Sequence, residues 1–188
     1  MGVEQKCSDI IDDLRREDDT FYADAQRCVD FIYFLFNQYF RTMKMQRVAT
    51  SHGIHIPGHD PQRTWIVEAH IYATNVAFTS FAERTHYRIA FLRNDTDSPF
   101  ITTDQPVINL LTHKDVDVAM SYPLSPRLAI VLTKGSDKFP QRVRKLSKME
   151  VETYNFLMYS ESDDQIYSND KGYLESLVSI PKGALGSE

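Results

Sequence analysis

Asp104 ends an extended run, Phe100-Ile101-Thr102-Thr103-Asp104, where Pro106 forces Gln105 out of helical geometry and stops strand pairing. A carboxylate placed there can act as a general base, ligate a metal ion or pair with a cation. Gln38 and Arg41 stand a turn apart on one face of a predicted helix. An arginine held against a core-facing helix needs an anion, and Asp104 is the candidate. The pair reads either as a structural ion pair that fixes geometry or as the floor of a pocket, and spacing alone leaves both open.

Three other groups of residues carry chemistry. His52, His55 and His59 share one glycine-containing stretch with Asp60, and imidazoles with a carboxylate are ligand types that a divalent ion accepts. Their spacing matches no closed metal motif, so no metal ligand and no cofactor is assigned. Cys7 and Cys28 fall on core-facing helical positions, where a thiol behaves as a small hydrophobe rather than a nucleophile. The segment Arg127 to Lys148 holds seven basic residues and one acid, Asp137, and any polyanion contact should involve it. A solvated face that balances the acidic N-terminal stretch is the alternative. No nucleophile elbow, phosphate-binding loop, dinucleotide fingerprint or zinc-protease motif occurs.

The elements that must position these residues follow from periodicity. Val3, Cys7, Ile10, Ile11 and Leu14 lie on one face of a helix over about 3–16. A long helix over about 19–47 places Phe21, Ala25, Cys28, Ile32, Phe36, Tyr39, Phe40 and Met43 on its buried side. Asp60-Pro61 supplies an N-cap and a first-turn proline for a third helix, 61–82, whose broad apolar content predicts burial on more than one side. From Tyr87 the period becomes extended, and four β-rich runs, 87–92, 100–103, 118–122 and 128–132, predict an antiparallel meander. Ser147 and Glu150 form a capping box that opens a helix over about 148–160, and Gln165 to Ser168 can add a strand. The fold class is α+β: N-terminal helices on a mostly antiparallel sheet, with one further helix. The chain reads as a single domain, 1–188, with a frayed tail from Lys182.

Length and composition agree with a chain able to bury a sizeable core: 188 residues, 42% hydrophobic and 25% charged. A formal charge of −5 gives no overall attraction to nucleic acid or anionic lipid. The longest apolar run, Val29 to Phe36, is interrupted by Asp30 and falls far short of a bilayer span, so no membrane partner is expected. With two cysteines and no secretory signal, the expected compartment is the cytoplasm, and the sequon Asn94-Asp95-Thr96 reads as incidental.

Several segments taken in order resemble a widespread, mostly bacterial family known only as a domain of unknown function. They are Phe31-Ile32 followed by Gln38-x-x-Arg41-Thr42 and Arg47; Phe100 to Val107; Tyr122-Pro123-Leu124-Ser125-Pro126; and Val151-x-x-x-Asn155 before Tyr167-Ser168. Members of that family carry Q-x-x-R-T on a helix, T-S-D-N-P-V at a strand end and a later P-L-S-P. Here Thr103 and Gln105 replace the usual Ser and Asn. A His-Tyr-Val-Pro-Gln segment that typically opens the family is missing, as in a truncated member.

The resemblance supplies no activity, but it implies that Gln38, Arg41, Asp104, Ser125 and Asn155 form one polar cluster, with Thr103 among the ligand contacts. The leading expectation is a domain that binds a small anionic molecule or a polyanion, which could be a partial or degenerate enzyme. In it Arg41 grips the anionic group and Asp104 takes a hydroxyl, an amine or a metal. A second reading makes Asp104 the general base or metal ligand of a metal-assisted hydrolase acting on nucleic acid or a nucleotide. A third makes the cluster purely architectural in a protein-interaction module.

Overall fold

The computed structural model describes residues 3–52, 60–111, 118–134 and 139–182, and of Val3, Glu4, His52 and Pro61 the backbone alone. Contacts divide the chain into two compact units, Met1–Arg88 and Ile89–Glu188.

The first unit is helical. Helix α1 (Val3–Arg15) buries Cys7, Ile10 and Leu14. It ends in a Schellman turn: the Asp18 N–H bonds the Asp13 carbonyl and the Glu17 N–H bonds the Leu14 carbonyl. Glu17 takes the left-handed conformation (φ 59°) that this turn requires, a place usually held by glycine.

The single helix predicted over 19–47 is three pieces. Thr20–Ala23 is a 3-10 turn, and α2 (Ala25–Phe40) starts only where extended Asp24 accepts the Arg27 N–H on its side chain. At the other end, the Thr42 hydroxyl bonds the Tyr39 carbonyl and accepts the Met45 N–H, which stops α2 and caps α3 (Met43–His52). Short polar side chains therefore interrupt an apolar period that otherwise continues through all three segments.

Helix α4 (Pro61–Ala82) packs on α2 with Trp65, Ala69, Ala73 and Ala77, a row spaced by four in which the three small residues let two backbones approach. Asp60 caps it as expected. The burial expected on more than one side is not found: Ile66, Val67 and Phe78 are exposed at 85%, 62% and 70%. Tyr33 and His70 join α2 to α4 through a 2.6 Å hydrogen bond, and Arg27 joins α2 to α1 through Asp13 at 2.5 Å.

The second unit is built on a five-stranded sheet in the order β3-β4-β5-β1-β6. Its strands are β1 (Tyr87–Arg93, beginning just before the unit boundary), β3 (Ile108–Asn109), β4 (Ala119–Ser125), β5 (Leu128–Lys134) and β6 (Val143–Lys145). The hairpin β4-β5 pairs Ala119 with Thr133 through Ser125 with Leu128, with an irregularity between Pro123 and Ser125. Central β5 is buried from Leu128 to Thr133, which explains its uninterrupted apolar run.

The fold is α+β and mostly antiparallel, but two features go beyond a simple meander. β6 joins the edge parallel to β1, Phe91 opposite Val143. The segment expected as the second strand of the meander leaves the main sheet: β2 (Thr102–Thr103) pairs antiparallel with β7 (Ile166–Tyr167) instead. Helix α5 (Lys148–Glu161) opens on the expected capping box, with Ser147 and Glu150 bonding each other's backbone N–H. A last helix, α6 (Lys171–Val178), starts at Asp170, whose side chain accepts the Tyr173 N–H. The C-terminal tail beyond Lys182 lies outside the described residues, as do His55, His59 and the Gly135-Ser136 turn.

Candidate functional site

Three short segments of the second unit, Phe100-Ile101-Thr102, Pro123 to Pro126 and Tyr167-Ser168-Asn169, line a groove of about 280 Å³. Each segment is irregular or ends a strand, so its backbone groups must be satisfied by something other than a continuous ladder. Buried polar side chains do this.

Asn155, fully buried on α5, accepts the Ile101 N–H at 3.1 Å and donates to the Pro99 carbonyl at 2.7 Å, reaching across 54 and 56 residues. Its amide also donates to the Tyr173 hydroxyl of α6 at 2.8 Å. Thr103 closes the next turn by accepting the Gln105 N–H and donating to the Gln105 carbonyl.

The Asp104 carboxylate takes three consecutive backbone N–H groups: Asp163 at 3.0 Å, Asp164 at 2.6 Å and Gln165 at 3.2 Å. The Asp104 N–H in turn bonds the Gln165 carbonyl. This clamp fixes the turn that leads into β7 and hence the Tyr167–Asn169 wall. Partial burial alone would raise the Asp104 carboxyl, but the N–H groups of Asp164, Asp163 and Gln165 outweigh it and hold the group below its ordinary 3.8. A carboxylate so stabilised is a weak general base, and both its oxygens are engaged.

Asn94 holds the third segment. Its amide donates to the Pro126 carbonyl at 3.1 Å and to the Ser98 carbonyl at 2.6 Å, while its oxygen accepts from Thr96. Asn94 is buried with its amide engaged, so a glycan on it would not be compatible with these contacts. Ser125 lines the groove itself, and its oxygen accepts the Arg127 N–H at 3.2 Å.

Thr103, Asp104, Ser125 and Asn155 thus gather around one groove, Ser125 in its lining and the other three behind it. Gln38 and Arg41 belong to the helical unit. Gln38 is buried, whereas Arg41 is exposed and serves as the C-cap of α2, not as the core-facing cation that helical spacing predicts. Sequence reading missed Asn94, Tyr173, Thr102 and Asn169. Asn94 was hidden in a turn-rich stretch, and Asp170 as an N-cap was the one local sign of the helix that carries Tyr173.

Three of the seven bases of the basic segment pair with acids within its own unit, and two others make contacts that are not ionic. Lys145 pairs with Asp95 and Lys148 with Asp97, each at 3.0 Å, Arg144 pairs with Glu150, Arg127 donates to the Thr96 carbonyl, and Arg142 lies over the Phe91 ring at 5.2 Å. Lysine holds Asp95 and Asp97 below the ordinary aspartate value. Both cysteines are fully buried, and burial raises each thiol to about 11, which removes them as nucleophiles at neutral pH. Among the described residues no group of three or more His, Cys, Asp or Glu is placed to hold a metal ion, and no helix is long and apolar enough to cross a membrane.

These features define an α+β protein whose polar motif residues brace a groove. The chain belongs to the family described as "Protein of unknown function (DUF4238)", whose model matches residues 2–172. No curated protein and no solved structure matches it.

Proposed function

We propose that the second unit binds a small neutral molecule in the groove between Thr102, Ser125 and Asn169. The observation that carries this reading is the arrangement of Asn155, Asp104 and Asn94: three polar side chains, two of them buried, each hold one wall of the same groove. Preorganised walls are what a binding site requires, since they reduce the ordering cost of association.

Its chemistry follows from the lining. Phe100, Ile101, Pro123, Leu124 and Pro126 provide an apolar floor. The oxygens of Ser125 and Ser168 accept turn N–H groups from Arg127 and Asp170, leaving their O–H groups as donors to a guest. Among the described residues no charged side chain lines the groove. A molecule with one apolar face and carbonyl, ether or hydroxyl acceptors therefore suits it better than the anion that Arg41 suggested. The metal-assisted hydrolase reading loses support because both Asp104 oxygens already serve backbone N–H groups.

A thermal-shift screen of neutral hydroxyl- and amide-bearing metabolites tests this against Asn169→Trp, which fills the groove from an exposed position. A ligand at 100 times its Kd adds about 2.7 kcal/mol to the wild-type chain. The variant should show none of that gain. Absence of any stabilising compound, or equal stabilisation of the variant, refutes the reading.

A further inference from the structure

A second recess in the same unit has different chemistry. It lies between α5 and the sheet, holds about 210 Å³, and is walled by Leu92, Leu110, Phe139, Leu146, Tyr154 and Leu157. A space of that size suits one aromatic ring or a short alkyl chain, smaller than most cofactor pockets. Met149, which also lines it, is 73% exposed and Leu157 is 41% exposed, an apolar rim at the mouth.

One donor gives this apolar recess a polar end. Arg144 spends Nη2 on Glu150, whose other oxygen is committed to the Ser147 capping box. A guanidinium carries five N–H donors, so Nε and Nη1 remain to bind a second acceptor. Glu150 makes the mouth neutral overall and orients the guanidinium, so recognition rests on directed hydrogen bonds more than on net charge. Tyr154 contributes its ring to the wall, its buried hydroxyl being closed off from the recess.

We infer that this recess binds a short-chain acyl compound, its alkyl or aromatic part against Leu92, Phe139, Leu146 and Leu157 and its acyl oxygen on Arg144. The acyl oxygen can belong to a free carboxylate or to an amide, and the guanidinium recognises both. This site is independent of the neutral-ligand groove, since the two share no lining residue.

The full chain, isotopically labelled, is titrated with hexanoate, hexanamide and hexan-1-ol while amide resonances of Thr153, Tyr154 and Leu157 are followed. Saturable shifts with at least one acyl probe are expected, and the stronger of hexanoate and hexanamide identifies the carboxylate or the amide as the preferred form. Arg144→Gln should weaken the acyl probes about tenfold and leave hexan-1-ol unchanged, in keeping with one charge-assisted hydrogen bond. Thr153→Trp, a change at an exposed helical position that fills the mouth, should abolish binding of all three while Asn169→Trp leaves it intact. The inference is overturned if neither acyl probe shifts these resonances, if hexan-1-ol binds as tightly as both, or if folded Arg144→Gln binds acyl probes like the wild-type chain. Should Arg144→Gln not fold, persistence of acyl binding in Thr153→Trp overturns it on its own.

Discussion

The two units hold their shape by different means. In the helical unit the polar determinants of the helix ends are local: a Schellman turn at Glu17 and side-chain caps at Asp24, Thr42 and Asp60 act within five residues, while apolar stripes pack the helices together. In the second unit a few polar side chains act across the chain, Asn155 to Pro99 and Ile101, Asp104 to residues 163–165, Asn94 to Pro126. The contrast teaches where substitutions should matter. A capping contact in the helical unit touches one helix end, and the links between helices there, Tyr33 to His70 and Arg27 to Asp13, join elements already packed by their apolar stripes; in the second unit buried polar side chains themselves hold irregular segments together.

Asn155→Ala should be the most damaging polar change, costing about 3 kcal/mol, because it leaves a buried carbonyl and a buried N–H without partners. Urea unfolding of the full chain reads it, and a loss under 1 kcal/mol would break the contrast between the units.

Asp104→Asn comes next, at about 1–2 kcal/mol near neutral pH, since an amide keeps one acceptor and loses the charge that three N–H groups share. The sign of its pH dependence follows from the depressed carboxyl. The stabilisation is present above the unfolded value of 3.8 and is lost as pH falls through the lower folded value. The gap between variant and wild type should therefore begin to narrow below about pH 5 and close as the pH falls through the folded value, which lies below 3.8. A gap independent of pH would mean that the clamp does not favour the ionised form.

Tyr154→Phe should act in the opposite direction, raising stability by about 1 kcal/mol, because it removes a buried hydroxyl that has no partner among the described residues and leaves the ring against Phe100. A lower melting temperature would show that the hydroxyl is satisfied in solution. Smallest is Glu17→Gly, which relieves a left-handed glutamate and should add about 0.5 kcal/mol, less the entropy that glycine gains in the unfolded chain. A destabilisation there would mean that the Schellman turn is held by the Glu17 side chain and not by backbone geometry alone.

Much of the architecture was legible in residue order. The caps at Asp60 and Ser147 and the change from helical to extended period at Tyr87 are local signals that appear where spacing puts them, and so is the β4-β5 hairpin, although β4 runs on through Pro123 to Ser125 where a turn was expected. The long helix failed because apolar periodicity carries no record of the hydroxyl and carboxylate caps that interrupt it at Asp24 and Thr42. The motif residues were picked out by type, but their work was not readable. Asp104 looked like a base or an ion-pair partner, and only the approach of residues 163–165 made it a backbone clamp.

The order of residues by itself determined the α+β class, the element periods and the family, because these depend on neighbours within a few positions or on motif order. The tertiary structure alone decided that β2 leaves the main sheet for β7, that β6 lies parallel to β1, and that Asn94, Asp104 and Asn155 surround one groove. Those outcomes depend on which unsatisfied backbone groups meet after distant segments pack, and no local spacing encodes that meeting.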